Sequence, residues 1–382
     1  MEDKFDDIRP YYQSEIPAAM RRIADSDMFA PLSKFIFPDR DVEDVRRMVA
    51  AIRSTEEFQD LVMYHANNKI VERSITNLTY DGIERLDRTK SYLFVSNHRD
   101  IMLDSSLLQG IFLSNGFRTT EITFGSNLMH PQLVVDIGKA NKMFKVIRSG
   151  NLREFLTNSL HLSEYIRFII RDKGDSVWIA QRNGRTKDGN DMTDQGIIKM
   201  FCMSDGNDPA RSLGELNIVP ISISYEIESC DILKTKELYL SRDGKKYIKQ
   251  AGEDLNSILT GIRQQKGRVN LSICRPLTRD ELQFDYKCHN DFYKNVATLI
   301  DNRIYTNYML FPNNYIACDM LAGADEYSDR YSQAEKQAFA ERLETMLAAI
   351  DGDKEVLRSI FLGIYATPVR NKSRLLVHES KK

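Results

Sequence analysis

From Ile75 onward, short β-rich runs alternate with amphipathic helical patterns, and this alternation restricts the chain to an α/β fold more tightly than any other feature. The strand-like runs are ITNLTYDGIERL (75–86), YLFVSNH (92–98), EITFGSNL (121–128), FKVIR (144–148), SVWIAQ (176–181), NIVPISISYE (217–226) and GRVNLSICRPL (267–277). Helices are predicted after Asp100, after Pro131, at about 152–172 and from Ile197 to Met203, with a polar loop from Asn183 to Asp194. Before Ile75 the apolar spacing is helical, as in Ile16, Met20 and Ile23 or Val45, Met48, Val49 and Ile52. From Asp280 it is helical again, with stripes at Phe292, Val296, Leu299 and Ile300 and at Phe339, Leu343, Met346, Leu347 and Ile350. The expected architecture is therefore α/β: a central mixed β-sheet flanked by helices, with helical N- and C-terminal additions. The boundaries read as 1–74 for the N-terminal helical region, 75–275 for the α/β domain and 276–382 for the C-terminal helices. No repeat divides the chain, and only short segments such as SDGNDPARS have linker composition.

Charge and cysteine usage narrow the function. The 53 basic and 55 acidic residues leave a net charge of −2, so no bulk field recruits nucleic acid, and any anion site must be local. Five scattered cysteines without a CxxC spacing argue against a disulfide framework or a zinc site and fit a reducing cytoplasm. The acidic, polar start MEDKFDDIRPYY and the lack of a long charge-free apolar run predict a soluble protein, at most peripheral on a membrane face.

Four segments carry residues suited to chemistry. In SNHRDIMLDSSLL the apolar run Tyr92–Val95 delivers Asn97 and His98 to a strand end, where α/β folds place their sites. A histidine there can act as a general base if a carboxylate holds its imidazolium, and Asp100 and Asp104 are both within reach. The plain alternative is that Asp100 only caps the following helix. No GxSxG-type nucleophile accompanies the histidine, so direct attack by an acceptor is simpler than a covalent intermediate. Residues 137–153 carry Lys139, Lys142, Lys145, Arg148 and Arg153 with no acid between them. In IAQRNGRTKDG a strand runs into Arg182, Gly184, Arg185 and Lys187, a composition suited to an anion, although Asn183-Gly184 is equally a hairpin signal. NIVPISISYE places Pro220 where a central strand would disfavour it, which suggests an edge strand.

Together and in this order, these segments resemble the four motif blocks of the glycerol-3-phosphate and lysophosphatidate acyltransferase family, over about residues 75–235. Asn97-His98-Arg99 with Asp104 resembles the first block, which implies His98 as base and Asp104 as its partner. Five residues separate the two instead of the usual four, so Asp100 stays open as the partner. Phe144-Lys145-Val146-Ile147-Arg148 resembles the second block and implies that Arg148 meets an acceptor phosphate. Asn183-Gly184-Arg185-Thr186 is similar to the third, with asparagine where the family has glutamate. Val219-Pro220 and the alternating strand after it match the fourth.

The resemblance implies an O-acyltransferase with catalytic His98 and Asp104 and with Asn97, Arg99, Arg148, Gly184, Arg185, Lys187 and Pro220 around the substrates. The co-substrate would be acyl-CoA or acyl-ACP, with no cofactor or metal. The acceptor would be an anionic glycerol or lysolipid, or, given the missing glutamate, an amino-acid-derived lysolipid. Peripheral membrane contact fits this family, as does the basic tail Arg370–Lys382, which on its own reads as a frayed end. The competing class is a catalytically inactive member that binds lipid. The single histidines His65, His130, His161, His289 and His378 carry no motif, and Trp178, the only tryptophan, reads as core.

Overall fold

The structure, a computed structural model, describes residues 2–147, 150–205, 208–245, 247–250 and 252–379. Among the described residues, seven strands form one mixed sheet: β1 (Asn77–Asp81), β2 (Leu93–Ser96), β3 (Glu121–Gly125), β4 (Met143–Val146), β5 (Val177–Ala180), β6 (Ile218–Tyr225) and β7 (Arg268–Ile273). Their order is β1-β7-β6-β2-β5-β3-β4, and every neighbouring pair is parallel except β6 with β7. β2 reads as an unbroken apolar run because it lies inside the sheet with both faces covered; Leu93, Phe94 and Val95 are all buried.

The helix Leu103–Ser114 covers one face, packing Leu107, Leu108, Ile111 and Phe112 with Phe94, Ile122 and Trp178. The helices Leu152–Arg167 and His289–Asn307 cover the other, over Leu93, Val95, Val177 and Ile179. The N-terminal helices between Ile16 and Ser74 and the C-terminal ones between Pro312 and Glu379 each build a further apolar cluster. No helix among the described residues is long and apolar enough to cross a membrane.

Three sequence expectations are corrected. Pro220 lies in a central strand, between β2 and β7, not at an edge. It is tolerated because it stands opposite Cys274, just outside the β6–β7 ladder, where its carbonyl accepts from Cys274 N at 3.0 Å and no ladder bond needs its missing N–H. The linker-like SDGNDPARS starts a helix, Pro209–Gly214, because Asp208 caps it by accepting from Arg211 N and Pro209 fits the first turn. The tail stays helical through Glu379, anchored by buried Val369 and Asn371.

Candidate active site

Because β2, β3 and β5 run parallel, their carboxyl ends share one edge, and a cleft opens there. Its walls are His98 and Met102 after β2, Phe124 and Asn127 around the end of β3, Trp178 and Ala180 on β5, and Gly184, Arg185 and Lys187 in the following loop; Lys249 and Asp254 close one side. His98 and Arg185, far apart in sequence, thus meet. Arg148 lies outside the described residues.

Asp104, not Asp100, holds the histidine. Its Oδ2 is 2.8 Å from His98 Nδ1 and also accepts from the backbone N–H of Arg99 at 2.6 Å and Asp100 at 2.9 Å. Its Oδ1 accepts from Tyr225 Oη at 2.8 Å. Burial above all, with the Asp104 and Asp100 charges, pushes the Tyr225 phenol far up, so it stays a donor. A carboxylate with three other donors aimed at it is acceptor-only, so His98 Nδ1 carries the proton and Nε2 keeps its lone pair. Among the described residues, Nε2 has no partner and His98 borders the cleft. The extra residue between His98 and Asp104 is absorbed in the turn before the helix, where Asp100 Oδ1 accepts from Met102 N and Leu103 N at 2.8 and 2.9 Å. Asp100 is therefore the cap.

The loop from Asn183 to Asp194 is stitched to the same strand end. Gly184 sits at φ +74° and Gly189 at +78°, where a β-carbon would be strained, and at Gly189 it would also strike Ile364 O at 2.2 Å. Thr186 N donates to His98 O at 2.7 Å. The loop delivers Arg185, which is 9% exposed and whose Nη1 has no hydrogen-bond partner among the described residues. Lys187 is paired with Glu237, and Lys249 with Asp254, which also accepts from Asn127 Nδ2 at 3.0 Å. Burial opposes ionisation of Asp254, but Lys249 and Asn127, helped by Arg185, hold it below the usual carboxylate range. Among the described residues, Arg185 is thus a cation of the cleft with no ion pair, in a setting where an unpaired charge is costly until an anion arrives.

Asn97, Arg99 and Pro220 do not line the cleft. The Asn97 side chain extends the β2–β6 pairing: its Nδ2 donates to Ile223 O at 2.9 Å and to Asp191 Oδ2 at 3.0 Å, and its Oδ1 accepts from Ile223 N at 2.8 Å. Arg99 is 1% exposed and bonds Asp191, Glu228 and Gly189 O, while Lys234 pairs with Glu228 and donates to Arg99 O. Burial would lower the Arg99 pKa, but Asp191, Tyr308 and Glu228 hold it well above its ordinary value. The result is a buried, charge-balanced hub beneath the site. Lys139 and Lys142 of the basic run lie away from the cleft: Lys139 is 5.0 Å from the Tyr11 ring, and Lys142 pairs with Asp175 at 3.4 Å, at the amino edge of the sheet.

Sequence reasoning missed Tyr225, Lys249 and Asp254, and no spacing signal links Tyr225 to a carboxylate 121 residues away. Beside the cleft, and sharing Thr123 and Ala180 with it, runs a second groove walled mainly by Val146, Ile147, Phe155, Leu162, Ile197 and Met200.

No protein-family model matches the chain, and no curated protein does. Among solved structures, it is similar to the 1-acyl-sn-glycerophosphate acyltransferase PlsC of Thermotoga maritima, at 15% identity and a TM-score of 0.37, over 74% of this chain and 92% of that one.

Proposed function

We propose that the chain is an O-acyltransferase that moves a fatty acyl group from an acyl-CoA or acyl-ACP thioester to a hydroxyl of a small anionic acceptor, glycerol 3-phosphate or a lysophospholipid. One observation carries the reading: a histidine whose Nδ1 is held by a buried carboxylate lines the same cleft as Arg185, whose Nη1 has no partner among the described residues. In this reading His98 Nε2 takes the acceptor's hydroxyl proton as the oxygen attacks the thioester, and Asp104 balances the imidazolium. Arg185 holds the acceptor's anion. The adjoining groove, with its apolar walls, suits the acyl chain.

Thiol release by purified protein, measured across a panel of donors and acceptors, tests the proposal. Acceptor-dependent release, lost by about 100-fold or more in a folded His98→Ala variant, is the expected result. Undiminished turnover in that variant would sink the mechanism.

A further inference from the structure

β6 and β7 carry an alternation that the proposed reaction does not use. Ile221, Ile223 and Tyr225 of β6, with Leu271 and Ile273 of β7, join the apolar cluster under the helix Leu103–Ser114. Successive side chains of a strand point to opposite faces, so Ser222, Ser224, Asn270 and Ser272 form a buried polar layer on the other face. On β6 this layer is met by the end of the helix His289–Asn307: Ser222 Oγ donates to Ile304 O, and Ser224 Oγ accepts from Met309 N, each at 3.0 Å. On β7, Asn270 and Ser272 instead floor a cavity of about 550 Å³ that shares no wall residue with the cleft.

The walls of this cavity carry complementary groups. Lys372 is half-buried; its Nζ donates to Tyr308 O at 2.9 Å, and it has no ion pair among the described residues. Burial, with no carboxylate to offset it, pulls its ammonium pKa down, so the charge gains from an arriving anion. Arg330 adds a cation at the exposed mouth, 6.0 Å from the Tyr315 ring and 3.3 Å from Asp329. Tyr315 and Tyr327 set their rings 5.4 Å apart as an aromatic wall. Asp81 Oδ2 already accepts the Ser272 hydroxyl at 2.7 Å, and a carboxylate has room for more hydroxyl donors. The volume is far beyond what a lone phosphate fills and lies within the range of small-molecule sites. Tyr308 also sets its ring 5.2 Å from the Arg99 guanidinium, so the cavity backs onto the hub beneath His98.

We propose that this cavity is a nucleoside-phosphate site, in which Lys372 and Arg330 take the phosphate, Asp81 the ribose hydroxyls, and Tyr315 and Tyr327 the base. It stands apart from the acyltransferase reading, because none of these residues enters the cleft.

Titration calorimetry of the full chain with AMP, ribose 5-phosphate and inorganic phosphate tests the assignment. AMP should bind once per chain with a Kd below about 1 mM. It should bind about tenfold tighter than ribose 5-phosphate, for its stacked base, and phosphate should be weaker still. Lys372→Met should weaken AMP by about tenfold or more, whereas Arg185→Ala, in the cleft, should leave AMP binding as it is. Should Lys372→Met fail to fold, Arg330→Ala decides, since that side chain is exposed, with a loss of about threefold or more expected. No binding of AMP to the wild-type chain, ribose 5-phosphate or phosphate as tight as AMP, full affinity in the deciding variant, or affinity lost in Arg185→Ala overturns the assignment. Thiol release enters none of these outcomes, so the acyltransferase reading stands or falls separately.

Discussion

Replacing Asp104 with asparagine separates the two services this carboxylate gives His98, fixing its tautomer and balancing its charge. The Oδ2 position must accept from two backbone N–H groups as well as from His98, so the asparagine oxygen should settle there and its NH2 should face Tyr225. The reversed orientation would leave two buried N–H groups without an acceptor, at about 1–3 kcal/mol each, whereas the Tyr225 hydroxyl can rotate to accept. The productive tautomer is therefore kept and only the negative charge is lost. Losing the buried charged partner of a partly buried imidazolium costs roughly 3–4 kcal/mol, the low end of the range for broken buried pairs, or about two to three decades in kcat. Asp100→Asn, which touches the helix start and Ser229 but not His98, should cost less than about tenfold. Steady-state thiol release with both variants, each checked by thermal unfolding, decides the matter. An Asp104→Asn enzyme retaining more than about a tenth of wild-type kcat, or a larger loss in Asp100→Asn, would refute the reasoning.

Arg185→Ala should raise the acceptor KM by roughly one to two decades, the worth of a charged contact, with little change in Tm because its Nη1 has no partner to lose; a rise in the donor KM instead would assign it to the donor. Arg99→Met should destabilise the fold by about 3–5 kcal/mol in denaturant titration, because it strands buried Asp191; a stable variant with only weakened acceptor use would restore Arg99 to substrate binding. Asp301→Asn should stabilise the protein at neutral pH. Burial pushes the Asp301 carboxyl up to about 6 despite its bonds from Thr193, so the folded state holds this proton more tightly than the unfolded chain and stability is lost as pH rises from about 4 to 6. The gain should be roughly 2–3 kcal/mol at pH 7.5 and about half that at pH 5, and a gap independent of pH would contradict it.

Local information in the sequence was enough for the layered α/β order and the strand-end histidine. Periodicity, apolar runs and the residues flanking His98 are properties of neighbours in the chain, so each of the seven strands could be anticipated near its observed position. The polar loop after β5, with its glycine and arginine, was legible for the same reason. What needed tertiary structure was every question of partnership. Asp100 and Asp104 differ little in sequence distance from His98, and only the turn geometry made one a cap and the other the histidine's partner. Asn97 and Arg99 flank His98, yet alternation along the strand end sends them inward, to Ile223 and to Asp191 with Glu228. Pro220 became admissible in a central strand because the antiparallel ladder to β7 begins just beyond it. Tyr225 on Asp104, and Trp178 beside His98, arise from the packing of β6 and β5 about β2. Such contacts depend on which strands lie side by side, and no spacing within the chain encodes that choice.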